Sequence, residues 1–109
     1  MDARRVDAVF DALGDPSRRT LVREIAARGD ATATELAAGL PVTRQAVAKQ
    51  LAALADAGLL RATRSGRETR YAVTPEPLHD AVAWMVDVGA DWDERLAKLG
   101  RSLRGRAAR

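Results

Sequence analysis

Arg44, Gln45 and Lys49 fall within one short run, Thr43-Arg44-Gln45-Ala46-Val47-Ala48-Lys49-Gln50. Arginine and glutamine are the side chains that make paired hydrogen bonds to guanine and adenine edges in a major groove. Helical spacing puts Val47, Leu51 and Leu54 on the buried face of a helix running from about Arg44 to Ala57. It leaves Arg44, Gln45, Ala48 and Lys49 on the opposite face, with Gln50 beside them. Downstream, Arg61, Arg64, Arg67 and Arg70 put four cations on one predicted hairpin. Its strands are Leu59 to Arg64 and Thr69 to Thr74, the second marked by the alternation of Thr69, Tyr71 and Val73, and Gly66 supplies the turn in Ser65-Gly66-Arg67-Glu68. From Arg44 to Arg70 six basic residues meet two acids, a net +4, whereas residues 1–43 carry −1 and residues 71–109 carry none. The chain's whole +3 arises in this segment, and charge concentrated on one element is the footprint of a polyanion binder. The expected chemistry is recognition of double-stranded DNA. Arg44 and Gln45 are expected to read bases. Thr43, Ala48, Lys49 and Gln50 support them at the groove, and Arg64, Ser65, Gly66, Arg67 and Arg70 hold phosphates or enter the minor groove.

Those residues need a scaffold, and the flanking sequence spells one. Thr32-Ala33-Thr34-Glu35 fits a capping box in which Thr32 accepts from an early helix amide and Glu35 reaches back. A short helix with Leu36, Ala37 and Leu40 on one side is expected to run until Pro41 removes the amide its next turn would need. Val42 and Thr43 complete a tight turn, with Thr43 as N-cap of the helix that carries Arg44, and Gly58 stops that helix. Upstream, Val6, Val9, Phe10 and Leu13 predict a first helix over 3–13, ended by Gly14. Asp15-Pro16 opens a second, cored by Leu21, Val22 and Ile25 and closed by Gly29. Near its start Arg18 and Arg19 suit either phosphate contact or plain solvation with intrahelical partners. The fold class is mainly α with a small β-hairpin, a winged helix-turn-helix.

The C-terminal third carries a different pattern. From Thr74-Pro75 onward, Leu78, Val82, Met85, Gly89, Trp92, Leu96, Leu99 and Leu103 recur in alternating steps of four and three, the spacing of a seam between two helices. Trp84 and Val88 widen the apolar face, and two tryptophans on one terminal helix are too much large apolar surface to leave wet. This long helix is expected to dimerise the chain, joined by the first helix. Residues 1–100 then form one DNA-binding and dimerisation domain, and 101–109 a basic, unstructured tail.

Composition narrows the rest. Of 51 apolar residues 23 are alanine, which favours helix but buries little area, so a shared core with a second copy fits the chain's economy. There is no cysteine, so neither a disulfide nor a thiolate metal site is available. No apolar run approaches the roughly 20 residues that span a bilayer and no signal-like core precedes the first helix, so a cytoplasmic protein with no membrane association is expected. Ser17, Ser65 and Ser102 have no second histidine to activate them, no phosphate loop is present, and neither catalysis nor a cofactor is expected. The rival reading is a winged helix that binds protein rather than DNA. It would carry acidic or apolar residues where Arg44, Gln45 and Lys49 stand.

Several runs together resemble the ArsR-type family of bacterial winged-helix repressors. They are Ala12-Leu13-Gly14-Asp15-Pro16-Ser17-Arg18-Arg19, Glu35-Leu36-Ala37, Thr43 to Leu51, Ala57-Gly58-Leu59-Leu60 and Gly66-Arg67-Glu68-Thr69-Arg70-Tyr71. The match covers residues 6 to 100 in order and spacing. The resemblance implies a dimeric repressor, expected here to control its own operon, that binds an inverted-repeat operator and releases it to an inducer, for this chain an unknown small molecule. The family's frequent hydroxyl and histidine are replaced by Ala48 and Gln50. Its metal-sensing members place cysteines where this chain has Ala37 and Ala38, or pair histidines with carboxylates across terminal helices, whereas His79 is the single histidine here. The resemblance is therefore to the metal-independent branch, with no metal site.

Overall fold

The computed structural model describes residues 3–107. Five helices and one hairpin follow in the order α1 (Ala3–Leu13), α2 (Pro16–Arg28), α3 (Ala33–Ala38), α4 (Arg44–Asp56), β1 (Leu60–Ser65), β2 (Glu68–Val73) and α5 (Pro75–Ala107). The caps named by the sequence are formed. The Asp15 side chain accepts from the Ser17 amide at 2.8 Å, with Pro16 in the first turn of α2 where its missing amide costs nothing. In α3 the Glu35 amide donates to Thr32 Oγ1 at 3.1 Å while the Thr32 amide donates to Glu35 Oε1 at 2.8 Å. Thr43 Oγ1 accepts from the Ala46 amide at 3.1 Å at the start of α4.

Helix α4 ends in a Schellman arrangement. Gly58 takes φ +83°, the Leu59 amide donates to the Leu54 carbonyl and the Gly58 amide to the Ala55 carbonyl, both at 3.0 Å. Leu54 and Leu59 are both fully buried, which aims the chain from the helix straight into the hairpin. The hairpin is antiparallel from Leu60↔Val73 to Ser65↔Glu68, leaving Gly66-Arg67 as a two-residue turn. Gly66 has φ +61° while Arg67 does not, the type II′ pattern that suits strand twist. A third segment joins unannounced by the sequence: Ala31 exchanges both backbone hydrogen bonds with Tyr71, at 3.0 and 2.9 Å, tying the α2–α3 connection to β2.

Two expectations need correction. Helix α3 stops at Ala38 rather than running to Pro41. Pro41 disfavours helical backbone at Leu40 as well as removing its own donor, so the chain leaves the helix from Gly39 through short i→i−3 bonds, Gly39 to Leu36 and Leu40 to Ala37. At the other end α5 is helical through residue 107, so the described part of the expected 101–109 tail is not unstructured. Arginine is a good helix former, and cations near a helix C-terminus complement its dipole. Residues 108 and 109, like 1 and 2, lie outside the described residues.

The core is small. Val9, Leu21, Ile25, Leu36, Val47, Leu51, Leu54 and Leu59 are the large buried side chains at its centre, with Ala12, Ala31 and Ala81 filling gaps. Helix α1 seats against the first turns of α5 through an Arg5–Asp80 ion pair at 3.1 Å and an edge-to-face contact of Phe10 with Trp84 at 5.4 Å. Beyond that seat α5 leaves the domain. At about 1.5 Å per residue it is about 50 Å long. The radius of gyration is 19.9 Å, against about 13 Å for a compact domain of this length. Among the described residues no helix is long and apolar enough to cross a membrane.

Candidate nucleic-acid interface

Three elements converge on one side of the domain. The Thr43 cap fixes the first turn of α4, and burial of Val47, Leu51 and Leu54 rolls the opposite face outward. Arg44, Gln45 and Lys49 are exposed there, and Ala48 is half-buried. The hairpin folds back beside that helix, so Arg44, Ala48, Arg64, Arg67 and Tyr71 share a groove of about 280 Å³ with Thr34 and Glu68. Ala48 contributes only a methyl group, which keeps the groove open between α4 and the wing. Arg64 Nε donates to the Gly66 carbonyl at 3.1 Å, stiffening the wing tip, and leaves the rest of its guanidinium outward. Ser65, Gly66 and Arg67 form the exposed tip itself. A second hollow of about 290 Å³ lies on the other flank of α4, lined mostly by Leu21, Leu40, Pro41, Val42 and Val47 and rimmed by Ser17, Thr20 and Gln50.

Arg70 does not join this surface as a free cation. Its Nη2 donates to Asp30 Oδ1 at 2.8 Å and to Glu35 Oε1 at 3.0 Å, its Nε to Asp30 at 3.1 Å, and its Nη1 lies 3.5 Å from Glu68. The Asp30 bond raises the arginine's affinity for its proton, and the same bond holds the Asp30 carboxyl below its usual range. Glu35 is also held low, first by the Thr32 amide of the capping box and then by Thr32's side chain and Arg70. A guanidinium facing three carboxylates has little attraction left for a phosphate, so Arg70 is a brace between wing and α3. The signal was indirect: the Ala31–Tyr71 bridge sets Asp30 beside Arg70, and no local pattern announces that bridge.

Gln50 is likewise engaged. Its Oε1 accepts from Arg18 Nε at 2.7 Å, across 32 residues, linking the start of α2 to the flank of α4. The partner of Arg18 is thus neither a phosphate, nor solvent alone, nor a neighbour on its own helix, the three options its sequence context offers. Arg19 turns instead to its own connection, donating to the Leu13 carbonyl at 2.6 Å.

The residues expected to form a seam all lie on α5. Val82, Met85, Trp92, Leu96, Leu99 and Leu103 are each about half exposed along α5, and Leu78 is half-buried against the core. Gly89 has open space where a side chain would stand. His79 is exposed at the start of α5, and among the described residues no three metal-binding side chains gather closely enough to hold an ion.

Residues 13–63 match a helix-turn-helix domain family. The chain is similar to an uncharacterized HTH-type transcriptional regulator of Bacillus subtilis, YuzN, at 37% identity over 87 residues, covering 74% of this chain and 95% of the relative. It is also similar to the transcriptional repressor SdpR of the same organism, at 28% identity over 79 residues, covering 72% and 87% of the two chains. An ArsR-like transcriptional regulator from Rhodococcus sp. RHA1 superposes with a TM-score of 0.76 at 40% identity, covering 87% of this chain and 89% of that one.

Proposed function

This chain belongs to the ArsR-like helix-turn-helix transcriptional regulators, and from that membership we propose how it meets DNA and a second copy of itself. The regulator binds DNA sequence-specifically. The exposed face of α4 enters the major groove, where Arg44 and Gln45 contact base edges and Thr43 and Lys49 contact the groove walls. Ser65, Gly66 and the cations of Arg64 and Arg67 track the adjacent phosphates or the minor groove. Ala48 lets the duplex approach α4 closely. The observation that carries this reading is the convergence of Arg44, Arg64 and Arg67 on one open groove beside α4. The protein-binding alternative is disfavoured, because it would leave those three cations without counter-charges beyond Glu68.

The chain acts as a homodimer through α5. In an antiparallel pairing, Leu78 faces the partner's Leu103, Val82 the partner's Leu99, and Met85 the partner's Leu96. All eight seam positions are then used, and Gly89 receives the partner's Trp92, so the smallest position meets the largest twice about the axis. Charge points the same way: residues 75–94 of α5 hold six acids and no Lys or Arg, while 95–106 hold five Lys/Arg and no acid. Antiparallel helices set opposite ends together, whereas parallel ones stack like on like. The two Leu78 positions would lie about 38 Å apart by helical rise, on the scale of the ~34–36 Å between half-sites one DNA turn apart. The operator is accordingly an inverted repeat upstream of the chain's own gene. Its role there is repression, relieved by a small-molecule inducer other than a metal ion. Footprinting on that upstream DNA, with light scattering for mass, tests the reading. A twofold-symmetric footprint from a dimer is expected, and an asymmetric footprint or a monomer defeats it.

A further inference from the structure

The hairpin register gives the wing two unlike faces. Arg64 pairs with Thr69 and Ala62 with Tyr71, so these four side chains share one face, while Arg61, Thr63, Arg70 and Ala72 take the other. Arg64, Thr69 and Tyr71 line the groove beside α4, and Thr34, in the first turn of α3, lines it from a third side. The hydroxyls of Thr34, Thr69 and Tyr71 make no hydrogen bond among the described residues. Thr69 and Tyr71 are half-buried, yet no buried side-chain oxygen among the described residues lacks a partner. Both hydroxyls therefore reach solvent, and the groove is the open space they line. Tyr71 is held on two sides, its backbone by the Ala31 pairing and its ring against the core, so little side-chain freedom is left for a ligand to remove. Among the described residues neither Arg44 nor Arg67 has an ion-pair partner, and Glu68, the one acid lining the groove, lies 3.5 Å from Arg70 Nη1.

Duplex geometry decides what this groove meets. In B-form DNA one sugar–phosphate strand divides a major groove from the minor groove beside it. With α4 in the first and the wing tip at the second, the dividing strand must cross between α4 and the hairpin, where the groove lies. We propose that the groove seats one phosphate of that strand in each half-site, held by the neutral hydroxyl donors of Thr34, Thr69 and Tyr71 among the cations of Arg44, Arg64 and Arg67. Threonine and tyrosine hydroxyls donate readily to phosphate oxygens, and such contacts fix register on the duplex without reading sequence. A hydroxyl displaces no counterion, so it positions the strand without adding to the salt-dependent pull of the arginines. The seat sets how deeply and at which register α4 enters the major groove. The inference rests on the reading that α4 occupies the major groove, and it adds three uncharged residues to the basic contact set.

The test begins with selection of a binding site from randomised duplex DNA by the intact protein. Binding is then measured on that site with single neutral methylphosphonate linkages placed in turn along each half-site. Tyr71→Phe keeps the ring and its backbone pairing and Thr34→Val keeps the side-chain shape, so each removes only a hydroxyl. Each variant should bind the unmodified site about five- to tenfold more weakly per half-site, near the lower bound for a hydrogen bond to a charged group. Random DNA should lose as much, and the log–log salt slope should stay at the wild-type value, whereas Arg67→Ala lowers it by about 0.9. One linkage per half-site should couple to the hydroxyls: once it is neutral, the cost of either variant should shrink to about twofold or less. A merely structural role would cost the same on every duplex. Wild-type affinity in both variants overturns the inference, as does a loss that no neutral linkage reduces, although α4 would still be reading DNA. Failure of the wild type to enrich any sequence is a different result, which defeats the major-groove reading itself and this inference with it.

Discussion

Trp92→Ala should split the dimer while leaving the winged domain folded. The indole is 58% exposed on α5 in the single chain. Taking roughly 250 Å² for a tryptophan, that is about 145 Å² available to a partner. At about 25 cal/mol per Å², burying it contributes about 3.5 kcal/mol, of which an alanine methyl would retain a minor part. Loss of about 2.5 kcal/mol from each of two symmetric copies is about 5 kcal/mol, or between a thousandfold and ten-thousandfold in the dimer dissociation constant. No core side chain of the winged domain is removed, so far-UV circular dichroism should still show the helices of that domain. Sedimentation equilibrium across nanomolar to high micromolar concentrations measures the constant directly. Operator binding, followed in parallel, should weaken because two half-site contacts lose their linkage. A dissociation constant within about tenfold of wild type would mean that Trp92 gains little burial on association, and the seam would have to lie elsewhere.

Arg67→Ala should weaken specific and random DNA alike and lower the log–log salt slope by about 0.9, the share of one phosphate contact. Arg44→Ala should instead cost on the order of 1–3 kcal/mol on the operator and much less on random DNA; equal losses on both would remove it from the base-reading set. Arg70→Gln should destabilise the domain at neutral pH. Asp30 and Glu35 are held below their usual values, so their contribution is full above the unfolded carboxyl range of about 3.9–4.3 and fades as pH falls through the lower folded values. The gap in melting temperature between wild type and Arg70→Gln should therefore narrow in acid, and a gap that widens below pH 4 would contradict the brace. Operator binding should be indifferent to a chelator and to equimolar Zn²⁺, since each chain offers one imidazole and no thiolate; release by low-micromolar zinc would point to a site among the α5 carboxylates.

Local signals were the legible ones. Three capping residues, the helix-stopping Gly58 and the period of Val47, Leu51 and Leu54 each act over a few residues, and each appears in the structure as its sequence implies. The period of α5 was legible for the same reason, since a helix keeps its period whether or not a partner is present. What escaped were pairings between distant elements. Arg70 and Arg18 look in sequence like any exposed arginine, yet one is committed to carboxylates from three places in the chain and the other to a side chain 32 residues away. The Ala31–Tyr71 bridge is a two-residue pairing with no alternation to reveal it. Net charge counted along the sequence overstated the free cations of the wing by the one that the fold neutralises.

The distribution of large side chains fits the proposed pairing of two copies. The buried core of a single chain leans on leucine, valine and alanine, and neither tryptophan belongs to it. Nine of the ten large exposed apolar residues stand on α5, beyond or beside its seat against α1. The apolar surface that a small alanine-rich domain lacks inside is thus displaced onto one helix, where burial requires a second chain. The same displacement serves recognition. Helix α5 begins at Pro75, one residue beyond the wing, and its first turns are locked to α1 by Arg5–Asp80 and Phe10–Trp84. A seam closed at the middle of α5 would therefore fix the spacing of two reading heads without any contact between them. Stability and half-site spacing would then depend on the same stretch of apolar surface, so a change in that seam would reach the operator even though no residue of it touches DNA.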